Sequence, residues 1–318
     1  MVCHECSIEC KKHGKDRQGQ QRYRCKACGK TFLEDTPKPL GSMRIELEHA
    51  VFALKLLLEG MSIRATERMT GLHRDTLCDL VVTVGRNCKS FLKEKMQKVP
   101  VENVECDEIW GFVGCKEKTR QLLGQSPDRG DAYCFVAMER TTKVVITWHL
   151  GKRTPHDTAD FIEDLRESTA GRYQLSTDGW IPYYSSIPHI FRGNVDFAQV
   201  VKKFGKTDDK NPGRRYSPAT IIGVDKMRGC GSPDMSMVCT SHIERLNLSI
   251  RMGVRRMTRL TNAHSKKWGN HEAMLALFFA WYNFCKKHTS LKATPAQAQG
   301  LTDHQWTIEE LLNNAARG

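Results

Sequence analysis

The chain has no apolar run long enough to cross a bilayer. Its best stretches, near 51–58 and 274–284, fall well short of the roughly 20 residues that a spanning helix needs. It also lacks a leader-like start: the first thirty residues are charged and rich in Cys, with no apolar core segment. These absences lead us to expect a soluble, cytoplasmic protein with no membrane partner. Acidic residues are scarce as well, with 36 Asp and Glu against 49 Lys and Arg, for a formal net charge of +13. That imbalance bears on partners rather than on fold, and it makes nucleic acid the leading partner. The scarcity is sharpest after Glu244, where Arg245, Arg251, Arg255, Arg256, Arg259, Lys266 and Lys267 follow with no acid before Glu272. With 40% hydrophobic and 8% aromatic residues the chain is globular rather than disordered, and its 318 residues suit about two domains or a little more.

Thirteen Cys in such a chain argue for metal ligands and buried thiols, not disulfides. Cys3-x2-Cys6 is followed by Cys25-x2-Cys28 at a spacing typical of zinc sites. Two such turns present four thiolates in the tetrahedral arrangement of a structural Zn2+. Gly29, just after the second pair, supplies the tight turn. Cys10, His4 and His13 are alternatives for one N-terminal ligand. No βαβ pattern surrounds the pairs, which argues against a redox role. The segment is too small for a core, so metal binding would supply its folding energy.

Thr36-Pro37-Lys38-Pro39 reads as an extended linker, since residues before Pro avoid the helical region. A helical pattern runs over 44–59 and ends at Gly60. Ser62 can cap a second short helix, Gly71 breaks it, and a third opens at His73-Arg74-Asp75-Thr76. This is the helix-turn-helix layout, whose second motif helix enters the major groove, with His73, Arg74 and Thr76 as its exposed first-turn residues.

Beyond residue 101 strands and helices alternate. Strands are expected at 104–113, 132–138, 143–150, 173–177 and 195–201. Helices are expected at 156–168, with Thr154 as cap and Pro155 at the first position, and at 182–187. A loop-like insertion, rich in Gly, Pro and Asp, covers about 204–240 before the Glu244 helix. Three strands, helix, strand, helix, strand, helix is the order of an α/β, ribonuclease-H-like fold. In such a fold the first and fourth strands are neighbours, and the last helix packs across them. Asp107 lies inside the first strand, where Asp is unfavourable. Asp178 ends the fourth, and Glu244 heads the basic helix. Together they can hold two hard divalent ions for an in-line phosphoryl displacement. Glu105 and Glu108 compete with Asp107, although Glu108 points to the opposite strand face. Asp196, Asp225 and Asp234 are weaker competitors. On the Glu244 helix, Ile243, Leu246, Ile250, Val254 and Met257 can face a core, while Glu244, Asn247, Arg251 and Arg255 share a polar face.

These residues carry a resemblance. Tyr23 to Thr31, Ser62 to Thr66, Cys106 to Gly111, Ser176 to Trp180, His242 to Arg251, the run Trp281-Tyr282-Asn283-Phe284 and Thr294-Pro295-Ala296 resemble the DDE transposases of small prokaryotic insertion sequences, in the group with an N-terminal zinc ribbon. The spacing of Glu244 and Arg251 is similar to that of the catalytic Glu and a following basic residue in many of them. The separation of Asp178 and Glu244 is longer than in many compact members, which fits the insertion. The resemblance implies a triad of Asp107, Asp178 and Glu244, two Mg2+ or Mn2+ ions per active site, and double-stranded DNA, both element ends and target, as partner. It also implies a homodimer or larger assembly on DNA, in the nucleoid. The expected organisation is a zinc ribbon (1–35), a helix-turn-helix domain (42–98), a catalytic domain (101–300) and a C-terminal tail (301–318). Arg251 and Arg255 would hold DNA backbone beside the metals. The rival readings are a zinc-ribbon transcription regulator with an inactive C-terminal domain, and a structure-selective nuclease.

Overall fold

The computed structural model describes residues 1–3, 5–17, 19–33, 38–205, 220–259 and 261–317. The chain divides into two compact units, Met1–Lys38 and Pro39–Gly318. His4, an alternative zinc ligand, and Thr36 and Pro37 of the expected linker lie outside the described residues.

The first unit is a three-stranded antiparallel sheet in the order β1 (Lys11–Lys15), β2 (Gln21–Arg24), β3 (Thr31–Leu33). Its buried residues are Cys3, Cys10 and Cys25, with Cys6, Tyr23 and Phe32 packed against them. An interior built of thiols cannot supply the apolar burial that holds a larger domain together.

The second unit opens with α1 (Leu47–Leu58), α2 (Ile63–Thr70) and α3 (Arg74–Lys95). Ser62 caps α2, its hydroxyl accepting from the Ala65 amide. Gly71 ends that helix in the left-handed region at φ 73°, and His73 caps α3, its Nδ1 accepting from the Asp75 amide.

A six-stranded sheet follows. It comprises β5 (Asn103–Val113), β6 (Gly130–Glu139), β7 (Val145–Gly151), β9 (Gln174–Asp178), β10 (Asp196–Phe204) and β11 (Ile221–Cys230), in the order β11-β10-β9-β5-β6-β7. Pairing is antiparallel from β5 through β7, parallel from β5 to β9 to β10, and antiparallel again between β10 and β11. The short strands β4 (Val99–Pro100) and β8 (Thr169–Ala170) pair separately. Part of the span expected to be a loop is therefore strand. β11 is an edge strand whose residues are mostly exposed, so it carries no alternating apolar pattern to read.

Between the strands lie α4 (Glu117–Leu122), α5 (Pro155–Ser168) and α6 (Ile181–Phe191). Thr154 caps α5 as expected, its hydroxyl accepting from the Asp157 amide. α5 covers one face of the sheet, where Phe161 packs on Phe135. The other face takes α7 (Ser241–Gly253) and α8 (Trp268–Phe284), with Trp148 against Phe279. α8 is apolar around nearly its whole circumference because the sheet lies on one side and α3 on the other. Among the described residues no helix is long and apolar enough to cross a membrane.

The helical segment and the sheet share one hydrophobic interior. A Cβ on Gly85 of α3 would lie 2.2 Å from the Ala273 carbonyl oxygen of α8, and one on Gly60 would lie 2.2 Å from the Met252 carbonyl oxygen of α7. Only glycine allows these backbones to approach so closely. α9 (Pro295–Ala298) lies just ahead of the residues expected as a tail, 301–318. Those residues form α10 (Ile308–Ala315), which buries Ile308, Leu311, Leu312 and Ala315 against this interior.

Candidate active site

β5 pairs with β9 only as far as Cys106 and Thr177. Asp107 is the next residue on β5 and Asp178 the last on β9, so both acids sit where two parallel neighbours part. An oxygen from each of Asp107, Glu108 and Asp178 lies within 4.8 Å of the other two. Asp107 accepts from the Glu108 amide (2.9 Å) and from Asn247 Nδ2 on α7 (2.8 Å). Asp178 accepts from the Trp180 amide at 3.0 Å, and the Arg153 guanidinium reaches both Asp178 (3.6 Å) and Glu108 (3.1 Å). Glu108 does project towards the α5 and α6 face, beside Tyr183. Its carboxylate still joins the group, just past the point where the pairing of β5 with β9 ends.

Glu244 occupies the first turn of α7. Its carboxylate accepts from Thr240 Oγ1 at 2.7 Å and contacts the Lys202 ammonium of β10. It lies close enough to Asp107 and Asp178 to raise the pKa of both. Glu105 fixes the head of this helix: one of its oxygens accepts from the His242 and Ile243 amides at 2.9 and 3.0 Å. Reading the sequence missed the parts played by Glu105, Arg153 and Lys202. For Glu105 a signal existed, since it shares a strand face with Asp107. The competing acids are engaged elsewhere. Asp196 pairs with Arg172, Asp225 with Lys203, and Asp234 accepts from Ser236.

Burial, and then the neighbouring Asp178, push Asp107 up to about 7 and Glu108 up to about 8; burial also raises Asp178. Glu108 Oε1 and Asn247 Oδ1 are buried without a hydrogen-bond partner among the described residues. Oxygen donors in this state fit a hard divalent cation, whose charge would hold the carboxylates ionised.

A pH dependence follows. When the folded pKa of an acid exceeds its unfolded value, the unfolded chain loses the proton first, and stability falls between the two values. For Asp107 that window runs from 3.8 to about 7. Without divalent metal, Asp107→Asn should therefore be more stable than wild type at pH 8, by roughly 1–3 kcal/mol. The gain should vanish near pH 4. Denaturant unfolding at both pH values checks this, and a variant less stable than wild type at pH 8 would show that Asp107 carries no unbalanced charge.

Two expected phosphate contacts are placed differently. Arg251 donates to the Met257 carbonyl (2.7 Å) and the Trp110 carbonyl (3.2 Å), and burial lowers its pKa to about 10. It braces α7 against β5 instead of presenting its guanidinium to solvent. Arg255 does not share the Glu244 face, because α7 stops at Gly253 and the backbone is extended at Val254. Arg255 instead opens a 3-10 turn, Arg255–Met257, and is exposed. Ile243, Leu246, Ile250, Val254 and Met257 are all buried, the last two beyond the helix.

Arg255 lines a groove of about 980 Å³ together with Arg64, Arg74, Lys266 and Lys267, while Asp75 and Asp79 contribute acids to its wall. His73 and Arg74 are exposed and Thr76 is half-buried. Neither His73 nor Thr76 lines the groove.

In the first unit, the Sγ atoms of Cys3, Cys6, Cys25 and Cys28 all lie within 4.8 Å of one another. The backbone amides of Cys28 and Ala27 hold the Cys25 thiol down at about 6, whereas hydrogen bonding to Cys28 pushes Cys6 up to about 12, so without a cation the group keeps one thiolate and shares protons among the rest. Cys10 is buried beside this group but outside it, and His13 is exposed on β1.

No known family model matches this chain, and no curated protein matches it in sequence. Among solved structures it is similar to a piggyBac transposase in a synaptic complex with hairpin DNA, at 12% identity and a TM-score of 0.40, over 85% of this chain and 70% of that one. It is also similar to the Endonuclease V of Bacillus subtilis, at 13% identity and a TM-score of 0.21, over 59% of this chain and 84% of that one. Both scores are too low to establish a common fold. The chain is a mixed α/β protein with a group of carboxylates where β9 ends beside the middle of β5, preceded by a small four-thiol unit.

Proposed function

We propose that this chain is a transposase of the DDE type, which cuts and rejoins DNA strands at the ends of its own element. The observation that carries this reading is the approach of Asp107 and Asp178 from neighbouring parallel strands, under a helix whose first turn bears Glu244. The strand order supports a ribonuclease-H-like catalytic fold: three antiparallel strands with two parallel strands added beside the first. Asp107, Asp178 and Glu244 would hold two Mg2+ or Mn2+ ions, which when bound activate the attacking oxygen and stabilise the leaving one. Asn247 orients Asp107 through its amide. Arg153 steadies Asp178 and Glu108. Glu105 keeps the first turn of α7 against β5, and with it Glu244. Lys202, already at the rim, offers its ammonium to a bound phosphate.

The basic groove supports double-stranded DNA as the partner, with cations from the helical segment and from the turn after α7 along one track. Phosphate contacts of this kind position DNA without reading it. Arg255→Ala should therefore weaken binding equally on specific and scrambled duplexes, and flatten the log affinity against log salt slope by about 1. A loss confined to specific DNA would instead assign Arg255 to base reading. The ribbon and the head of α3 would recognise the element ends, and a homodimer or larger assembly would bring two ends together, in the prokaryotic cytoplasm.

The reading is tested by incubating the full chain and a divalent metal with DNA carrying the sequences that flank its gene. The expected products are strands ending in a 3′-hydroxyl, and then those strands joined to a second duplex. Cleavage without joining would identify a nuclease, and binding with neither would identify a regulator.

A further inference from the structure

A second set of donors lies on the same face of β5, outside the carboxylate site. Glu105 comes from the strand, Cys239 from the segment before α7, and His242 from the first turn of that helix. Cys239 Sγ is 3.6 Å from Glu105 Oε1 and 3.8 Å from His242 Nδ1, and those two atoms are 2.7 Å apart. A tetrahedral zinc, with bonds of about 2.3 Å to sulfur and about 2.0–2.1 Å to nitrogen or oxygen, sets sulfur about 3.5 Å from the other two donors and sets those about 3.3 Å apart. Two of the three separations are therefore nearly those of a zinc site. The third, at 2.7 Å, would have to open by about half an ångström to take the ion.

The chemistry of the set points the same way. A thiolate and an imidazole select zinc over magnesium, which separates this group from the all-oxygen site that begins two residues further along β5. Glu105 is 1% exposed, and its other oxygen is fixed by the His242 and Ile243 amides, so the carboxylate is already oriented as outer-shell partners orient a ligand. Cys239 and His242 are half-exposed, which leaves an entry path. One thiolate and one carboxylate balance the charge of the ion. Arg140, whose Nε lies 3.9 Å from Glu105 Oε1, opposes it and makes the site weaker than one of four thiolates.

We propose that Glu105, Cys239 and His242 bind a zinc ion through three protein ligands, with water in the fourth position. An ion there would tie β5, the preceding segment and the first turn of α7 together two residues ahead of Glu244. The assignment does not depend on the DNA chemistry, because metal content alone reads it. Full-length protein should hold two equivalents of zinc, and a graded series of chelators should strip one well before the other. Cys239→Ser and His242→Ala should each hold one equivalent while keeping the four-thiol site. In a chain with Cys3, Cys6, Cys25 and Cys28 all changed to Ser, Co2+ should still give thiolate charge-transfer absorbance, and adding Cys239→Ser should remove it. One equivalent in the wild type, or two retained in Cys239→Ser, overturns the proposal.

Discussion

Asp107→Ala, Asp178→Ala and Glu244→Ala are each expected to reduce strand cleavage at least about 10³-fold, roughly 4 kcal/mol of transition-state stabilisation. Affinity for duplex DNA should remain within a few-fold of wild type, because the cations that attract the backbone lie in a separate groove. Two of these acids are already in position, with Asp107 and Asp178 sharing one group of oxygens. The informative comparison is Glu244 against Glu108, since Glu108 lies nearer to both. Glu108 faces α5 and α6 and is held by Arg153, whereas Glu244 lies over the same strand face as Asp107 and is held by the Thr240 hydroxyl and a lysine ammonium. Glu108→Gln should therefore cost no more than about tenfold, as expected for a group that steadies a ligand without being one. Single-turnover cleavage on matched DNA reads both. A Glu244→Ala enzyme that cuts at near wild-type rate, beside an inactive Glu108→Gln, would transfer the third position to Glu108.

Loss of the small unit should be equally decisive. Cys25→Ser or Cys28→Ser should remove one zinc and unfold residues 1–33, because zinc binding supplies about 10–16 kcal/mol in units of this kind and the fully buried interior here is only Cys3, Cys10 and Cys25. Hydrogen exchange should show protection lost over β1, β2 and β3 and kept across the sheet of the second unit. Metal analysis showing unchanged zinc in both variants would falsify the four-thiol assignment.

Local chemistry made much of this legible in the sequence. Thr154-Pro155 announces the start of α5, Ser62 that of α2, and an Asp inside an apolar strand marks β5 as unusual. What escaped lacked a local signal, or had one that was overridden. α8 is apolar on every side, so no period distinguishes it from a buried strand. β11 is exposed at an edge and reads as loop. The apolar spacing from Ile243 to Met257 continues past the end of α7, which hid the break at Gly253 and carried Arg255 onto a face that it does not share. Arg251 looks like a surface cation in the sequence because nothing local reveals that the chain turns back to offer it the Met257 carbonyl and that the distant Trp110 carbonyl takes a second donor.

The contacts at Gly85 and Gly60 have a consequence for geometry on DNA. Two backbone-to-backbone seams with no side chain between them join the helices that would read bases to the body that carries the acids. Such seams do not hinge, so the second unit behaves as a fixed gauge. Under the proposed function, a cut should fall at a constant number of base pairs from any bases that α3 would read. Inserting about five base pairs between those bases and the cleaved bond, half a turn of the duplex, would rotate that bond to the far side of the helix, out of reach of Asp107 and Asp178, while leaving every recognised base intact.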